Sequence, residues 1–278
     1  MFASHAREQF LELARRDDPE IDVLRGALLI AQEEYPQFWV EDAEEQVEAM
    51  AEKLAHLVDA ASGLHNIVYA ANHLFFEQLG FKGHRSAQDQ PDAFLMNRVL
   101  EEHRGSVLLL SILYQQIVRR GTGIDLETVD FPGHVLLASE GGSGALYLDI
   151  ADGGRLLLAD ELEAEILRPQ GIRRPWSDDF LRHLGPRGIL ARLLTELKLI
   201  YARRRDVLRT LKVVERIVLL RPESAEERRD RGILYSLSGH RMAAIADLED
   251  YLTMRPEAAD AEQVRRRLEK LLRRGLSS

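Results

Sequence analysis

A helix N-terminus at 105–107, then His134 on a predicted strand, then Asp149 on the next predicted strand have the order of a triad that does covalent chemistry. The hydroxyl there, on Ser106, sits one residue off the expected nucleophile position and reads as an N-cap. A nucleophile at a helix N-terminus has its anionic form favoured by the helix dipole. A histidine beside it takes the proton, and an aspartate on the neighbouring strand holds the imidazole tautomer. His134 and Asp149 lie 15 residues apart (149 − 134), which suits two strands joined by the glycine-rich loop Gly141-Gly142-Ser143-Gly144. The chain has no cysteine. Thiol nucleophiles, disulfides and cysteine-rich zinc sites are excluded together.

The elements that must position these residues are readable from periodicity. Residues 5–15, a segment opening at Asp18-Pro19, 41–60 and 64–79 carry apolar residues at three- and four-residue spacing. In the second of these, Asp18 is expected to cap and Pro19 to occupy the first turn. Gly80 to Pro91 reads as a loop, and 94–101 as a short helix. Ser106 is placed to cap helix 107–119, which is apolar nearly all round and therefore buried. Ser111, one turn inside it, is expected to bond back to a backbone carbonyl. The period then changes: 125–130, 134–139 and 145–150 read as strands of an antiparallel sheet, the last two as a hairpin, with Arg155–Leu158 as a further strand. The proline- and charge-rich stretch Pro169–Pro186 separates a first domain, 1–182, from a helical second domain, 187–278. The predicted class is α+β followed by an all-α domain.

ANHLFFEQLGFKGH (71–84), DAFLMNRVLEEHRGSVLLLSILYQQIVRR (92–120), FPGHVLLA (131–138) and LYLDIADGGRLLL (146–158) resemble the bacterial SirB-type transglutaminase-like family. The resemblance implies a transglutaminase-like, cysteine-protease-like domain followed by tetratricopeptide-like helices. It places the nucleophile of catalytic transglutaminase-like proteins two positions after Gly105, at Val107, where SirB-type proteins usually carry proline. The usual Ile-Pro-Ile-Ser reads Ser106-Val107-Leu108-Leu109 here, and the usual Asp-Pro-Phe reads Asp149-Ile150-Ala151. Two members of a triad, His134 and Asp149, remain without their nucleophile. The old cleft would be lined by Arg104, Ser106, His134 and Asp149.

The tail supports the same reading. Pro222 and Pro256 are 34 residues apart (256 − 222), the tetratricopeptide period, and RGILYSLSGHRMAAIADLEDYLTMRP carries small, aromatic and turn residues where that repeat wants them. Tyr201 and Tyr235 are its candidate binding residues.

The formal charge of −9 argues against nucleic acid as partner. No apolar run is long enough to span a bilayer, and no signal peptide is visible, so a cytoplasmic protein without membrane contact is expected. His65, His73, His84, His103 and His134 lack metal-ligand spacing, and neither metal nor cofactor is expected. The function these readings imply is non-catalytic: a protein- or peptide-binding regulatory scaffold. The alternative is a hydrolase or acyl-transfer enzyme using His134 and Asp149 with a non-cysteine nucleophile. A hydroxyl within hydrogen-bond reach of the His134 ring would favour that alternative.

Overall fold

A helix with apolar residues on every side needs neighbours on every side. In the computed structural model, which describes residues 2–59, 62–84, 89–141 and 144–273, that helix is α6, Val107–Thr122. Leu108 to Tyr114 are all buried, as are Gln116, Ile117 and Val118. The chain forms two compact units, Met1–Leu193 and Leu194–Ser278.

In the first unit, helices α1 (Phe2–Ala14), α2 (Val23–Glu34), α3 (Val40–Leu57), α4 (Leu64–Asn72) and α5 (Met96–Glu102) precede α6. Helix α4 runs on into a wider π turn, His73–Gln78. Two short strands, β1 (Lys82–Gly83) and β2 (Arg104–Gly105), pair in parallel just ahead of α6. Periodicity could not show this pair, because two residues carry no alternation. After α6 come β3 (Glu127–Phe131), β4 (His134–Gly141), β5 (Gly144–Asp149), β6 (Arg155–Leu158) and β7 (Arg182–Leu184). They form one antiparallel sheet in the order β6-β5-β4-β3-β7. The β4–β5 pairing expected of the hairpin is present, and Gly142 and Ser143 between the strands lie outside the described residues.

Both sheet faces are covered. Val129, Phe131, Leu136, Ala138 and Tyr147 share one buried cluster with Leu162, Ile166 and Leu167, and Trp176 and Phe180 pack against it. Val135, Leu137, Leu146 and Leu148, of opposite parity on β4 and β5, are buried too. The proline-rich stretch is thus more than a connection: it packs on the sheet and supplies its edge strand β7.

The Asp18-Pro19 start needs correction. Asp18–Glu20 is a single 3₁₀ turn, and α2 begins at Val23 with Asp22 as its cap, accepting from the Arg25 N–H at 2.9 Å. Asp18 instead accepts from the Arg187 N–H at 2.7 Å, capping helix α7 (Pro186–Arg203) from 169 residues away. Local sequence cannot tell a cap for the next helix from a cap for a distant one.

The second unit comprises the end of α7, α8 (Val207–Leu220), α9 (Ala225–Leu237), α10 (Arg241–Met254) and α11 (Ala261–Arg273). Gly239 holds φ +84° at the α9–α10 turn, where a side chain would be strained. Helix α9 buries only Ala225 and Gly232 and carries six consecutive charges, Glu226–Arg231. Polar pairing holds it in place. Lys198 reaches Glu227 and Asp230 at 2.7 Å each, Arg229 reaches Asp260 at 2.6 Å, and Arg231 grips Asp247 with two nitrogens at 2.6 and 2.7 Å. Bidentate, part-buried pairs of this kind outweigh ordinary surface ion pairs. At Gly232 a Cβ would lie 2.9 Å from Leu248 Cδ2 and 3.1 Å from Asp247 Cβ, so α9 and α10 touch backbone to side chain there.

Two outcomes follow for the second unit. Gly232→Val overpacks that crossing and lowers stability by about 1–3 kcal/mol in urea unfolding. Burial, and then the hydrogen bond to Glu215, push the Tyr235 phenol up to about 12. Its neutral form is favoured in the folded state, so that contribution is complete below the ordinary tyrosine value of 10 and is lost as pH rises through 12. The fall in unfolding midpoint across that window should be shallower in Tyr235→Phe than in the parent protein.

Candidate functional site

The histidine and the aspartate meet. His134 opens β4 and Asp149 closes β5, and the antiparallel register of the two strands brings these ends together. His134 Nε2 donates to Asp149 Oδ1 at 2.7 Å, with side-chain exposures of 16 and 11 %. In the neutral ring that bond places the proton on Nε2 and leaves Nδ1 as the acceptor nitrogen.

Asp149 has a second task. The same oxygen accepts from the N–H groups of Ala151 at 2.9 Å and Asp152 at 3.3 Å, so it caps the 3₁₀ turn Ile150–Asp152. Gly153 and Gly154 then turn the chain with φ +64° and +74°, and the Gly154 N–H returns to the Asp149 carbonyl at 2.8 Å. A Cβ on Gly154 would lie 2.0 Å from Asn72 Oδ1. Asn72, at the end of α4, donates Nδ2 to the Gly154 carbonyl at 2.9 Å and accepts the Tyr114 hydroxyl at 2.8 Å. Helices α4 and α6 thereby clamp the turn whose first residue orients His134. Burial pushes the Tyr114 phenol well above the usual tyrosine range, so it stays a donor. Asn72 and Tyr114 are the site residues that sequence reasoning missed. Asn72 reads as framework, and nothing in local sequence points to a partner 82 residues away.

The nucleophile position offers no chemistry. Val107 is the first residue of α6, half-buried, with only methyl groups to present. Ser106 is buried, and its Oγ accepts from the Leu109 N–H at 3.3 Å while its own N–H donates to the Ala93 carbonyl at 2.7 Å. Gly105 is fixed by crowding: a Cβ would approach Val99 Cγ2 to 2.5 Å. Arg104 is exposed and makes no hydrogen bond with the dyad. Among the described residues no hydroxyl hydrogen-bonds to the His134 ring. Ser111 is fully buried, but its Oγ bonds to no carbonyl: it has no hydrogen-bond partner among the described residues, contrary to the back-bonding expected from its place in a helix.

In the helical unit Tyr201 is buried and Tyr235 half-buried. Tyr201 is 2 % exposed, under the Arg209 guanidinium at 5.7 Å from its ring centre, and the Tyr235 hydroxyl donates to Glu215 at 2.7 Å. A groove of about 750 Å³ lies beside α11, with Ser236, Gln263, Arg266, Arg267 and Lys270 among its walls. Among the described residues no helix is long and apolar enough to cross a membrane, and no three His, Asp or Glu side chains group to hold a metal ion.

Comparison with known proteins agrees with this architecture. The transglutaminase-like superfamily matches residues 41–195, and a tetratricopeptide repeat matches residues 197–269. A UPF0162 protein of Xylella fastidiosa is 33 % identical over 256 residues, 91 % of each chain. The protein SirB1 of Salmonella typhimurium is 26 % identical over 232 residues, 82 % of this chain and 83 % of its own. F-box only protein 21 of Mus musculus is 32 % identical over 105 residues, 35 % of this chain and 17 % of that protein. No solved structure matches. The chain belongs to the transglutaminase-like superfamily and, within it, to the SirB-type family of SirB1 and UPF0162 proteins.

The clamp makes a quantitative prediction. Tyr114→Phe leaves the Asn72 carbonyl oxygen without its donor and should cost about 1–2 kcal/mol; Asn72→Leu strands two groups and should cost about 2 kcal/mol or more. Because both act on one contact, the double variant should lose less than the sum, with a coupling of about 1 kcal/mol in urea unfolding. Full additivity would show that Asn72 and Tyr114 do not form one unit.

Proposed function

We propose that this chain is a cytoplasmic, non-catalytic scaffold: a degenerate transglutaminase-like domain and a tetratricopeptide-like tail that hold a protein or peptide partner. The observation that carries the reading is the entry of α6. Val107 has no nucleophilic atom, and the nearest hydroxyl, on Ser106, accepts from the helix it caps. Removing the nucleophile from a triad removes most of its rate, whatever geometry the other members keep. The grouping of this domain with tetratricopeptide repeats, which commonly mediate protein–protein contact, supports binding as the role.

The enzymatic alternative draws on one observation, the intact 2.7 Å pair of His134 and Asp149. That pair also has a structural task at the Ile150–Asp152 turn, which accounts for its presence without turnover.

The test joins chemistry to binding on the full chain. Ammonia release from a glutamine-containing donor peptide, and hydrolysis of an activated ester, should not exceed the rates of His134→Ala. A parent rate that falls by about tenfold or more in a His134→Ala protein of normal melting temperature would overturn the non-catalytic reading. In affinity capture, partners held equally by both proteins place binding away from the dyad. Partners lost only with His134→Ala make the old cleft the binding site.

A further inference from the structure

The first unit contains a cleft, and none of its lining residues belongs to the dyad or its clamp. It encloses about 650 Å³, within the range of roughly 300–1,000 Å³ that small ligands occupy. It opens beside the C-terminal half of α6, between the start of α2, the start of β3 and the β7–α7 junction. Gln116, at its base, lies ten residues beyond Ser106, about 15 Å along the helix.

Gln116 is the unusual feature. It is only 8 % exposed, yet its amide hydrogen-bonds to no protein group among the described residues. Nor is that amide among the buried side-chain atoms that are both sealed from solvent and unbonded. The remaining exposure therefore includes the amide, and the cleft is what it faces. Behind it Thr128, 1 % exposed and also a lining residue, has an Oγ with no partner. The Thr128 Oγ is sealed from solvent, so the Gln116 amide is the unpartnered polar group that the cleft can offer to a polar guest, since such groups are otherwise satisfied. By contrast the neighbouring Gln115 donates to the Leu126 carbonyl.

Charge decides which guest. Of the ionisable groups around the cleft, Arg119 pairs with Asp125 at 3.0 Å, and His183 hydrogen-bonds to Glu127. Glu20 and Asp22 remain. Among the described residues neither has an ion pair, and Asp22 engages only the Arg25 N–H through one carboxylate oxygen. The uncompensated charge is negative. Ile21, Leu126 and Ile189 are buried and supply apolar wall between the charged mouth and the amide.

We propose that this cleft binds an alkyl guanidinium or alkyl amine, free or as an arginine or lysine side chain. The cationic head lies against Glu20 and Asp22, the methylenes along Ile21, Leu126 and Ile189, and a polar group of the guest meets the Gln116 amide. This goes beyond the scaffold reading and does not depend on it, because neither the dyad nor the helical tail takes part.

Calorimetric titration of the full chain at low ionic strength, with agmatine and with the peptide acetyl-Gly-Arg-Gly-amide as separate probes, tests the proposal. Saturable binding of either probe is expected: agmatine alone indicates a free small cation, and the peptide alone indicates a protein side chain. Butylurea, the uncharged isostere of butylguanidinium, should bind about tenfold weaker than butylguanidinium or worse. Glu20→Gln, an exposed change that leaves the fold intact, and Asp22→Asn, which keeps a capping oxygen, should together weaken binding about tenfold or more. Gln116→Leu should weaken it by a smaller factor, about threefold to tenfold. His134→Ala should bind as the parent does. Absence of saturable binding to both cations, equal binding of butylurea and butylguanidinium, or unchanged affinity in the Glu20→Gln/Asp22→Asn protein would each overturn the assignment.

Discussion

One carboxylate oxygen holds the candidate site together. Asp149 Oδ1 accepts from an imidazole and from two backbone N–H groups. The bonds are not independent, since the capped turn fixes the carboxylate and the fixed carboxylate aims the ring. The turn in turn is anchored through Gly154 to Asn72, and through Asn72 to Tyr114 on the central helix. Acid–base geometry and hairpin architecture share the same atoms here, so a working triad and a structural bracket would look alike at His134 and Asp149. They differ at the third position. Val107 carries no lone pair, and Ser106 uses its own to close the helix end.

That shared wiring gives His134 and Asp149 a structural role that does not depend on turnover. Deleting Asp149 would strand the His134 N–H in a mostly buried place and uncap Ile150–Asp152 at once. Structure alone is enough to retain both residues. The aromatic framework beneath the helix adds to the constraint. Phe75 stacks on Phe81 with ring centres 4.6 Å apart and meets the edge of Tyr114 at 5.4 Å. His103, with φ 52°, stacks on Phe81 and bonds to the Leu79 carbonyl, which fixes the approach to β2 and α6.

The parts of this design that rest on repetition are legible in sequence. The buried central helix announces itself by apolar residues all round, the β4–β5 hairpin by its change of period and its glycines, the tail by Pro222 and Pro256. Ser106 as a cap is legible because capping is a local bond. What escapes is polar contact across long sequence separations. Asn72 to Gly154 and Asp18 to Arg187 have no periodicity and no fixed spacing. Tyr235 illustrates a subtler failure. Its repeat position is readable, but whether the ring faces a groove or reaches back to Glu215 depends on a glutamate one helix away. The Gln116 amide is hidden for a related reason, because the pair Gln115-Gln116 reads as helix surface and nothing local tells the bonded amide from the unbonded one.

The charged helix α9 carries a consequence for how such a tail can diverge. An apolar contact tolerates drift, since leucine, isoleucine and methionine exchange with modest repacking. The Arg231–Asp247 and Arg229–Asp260 pairs do not, because loss of either partner leaves a charge facing a neighbour that can no longer answer it. Change in this array must therefore pass through matched substitutions, arginine on α9 with aspartate on α10 or just before α11. Its history should be written as covarying pairs across the α9–α10 and α9–α11 contacts, while the rest of the surface drifts residue by residue.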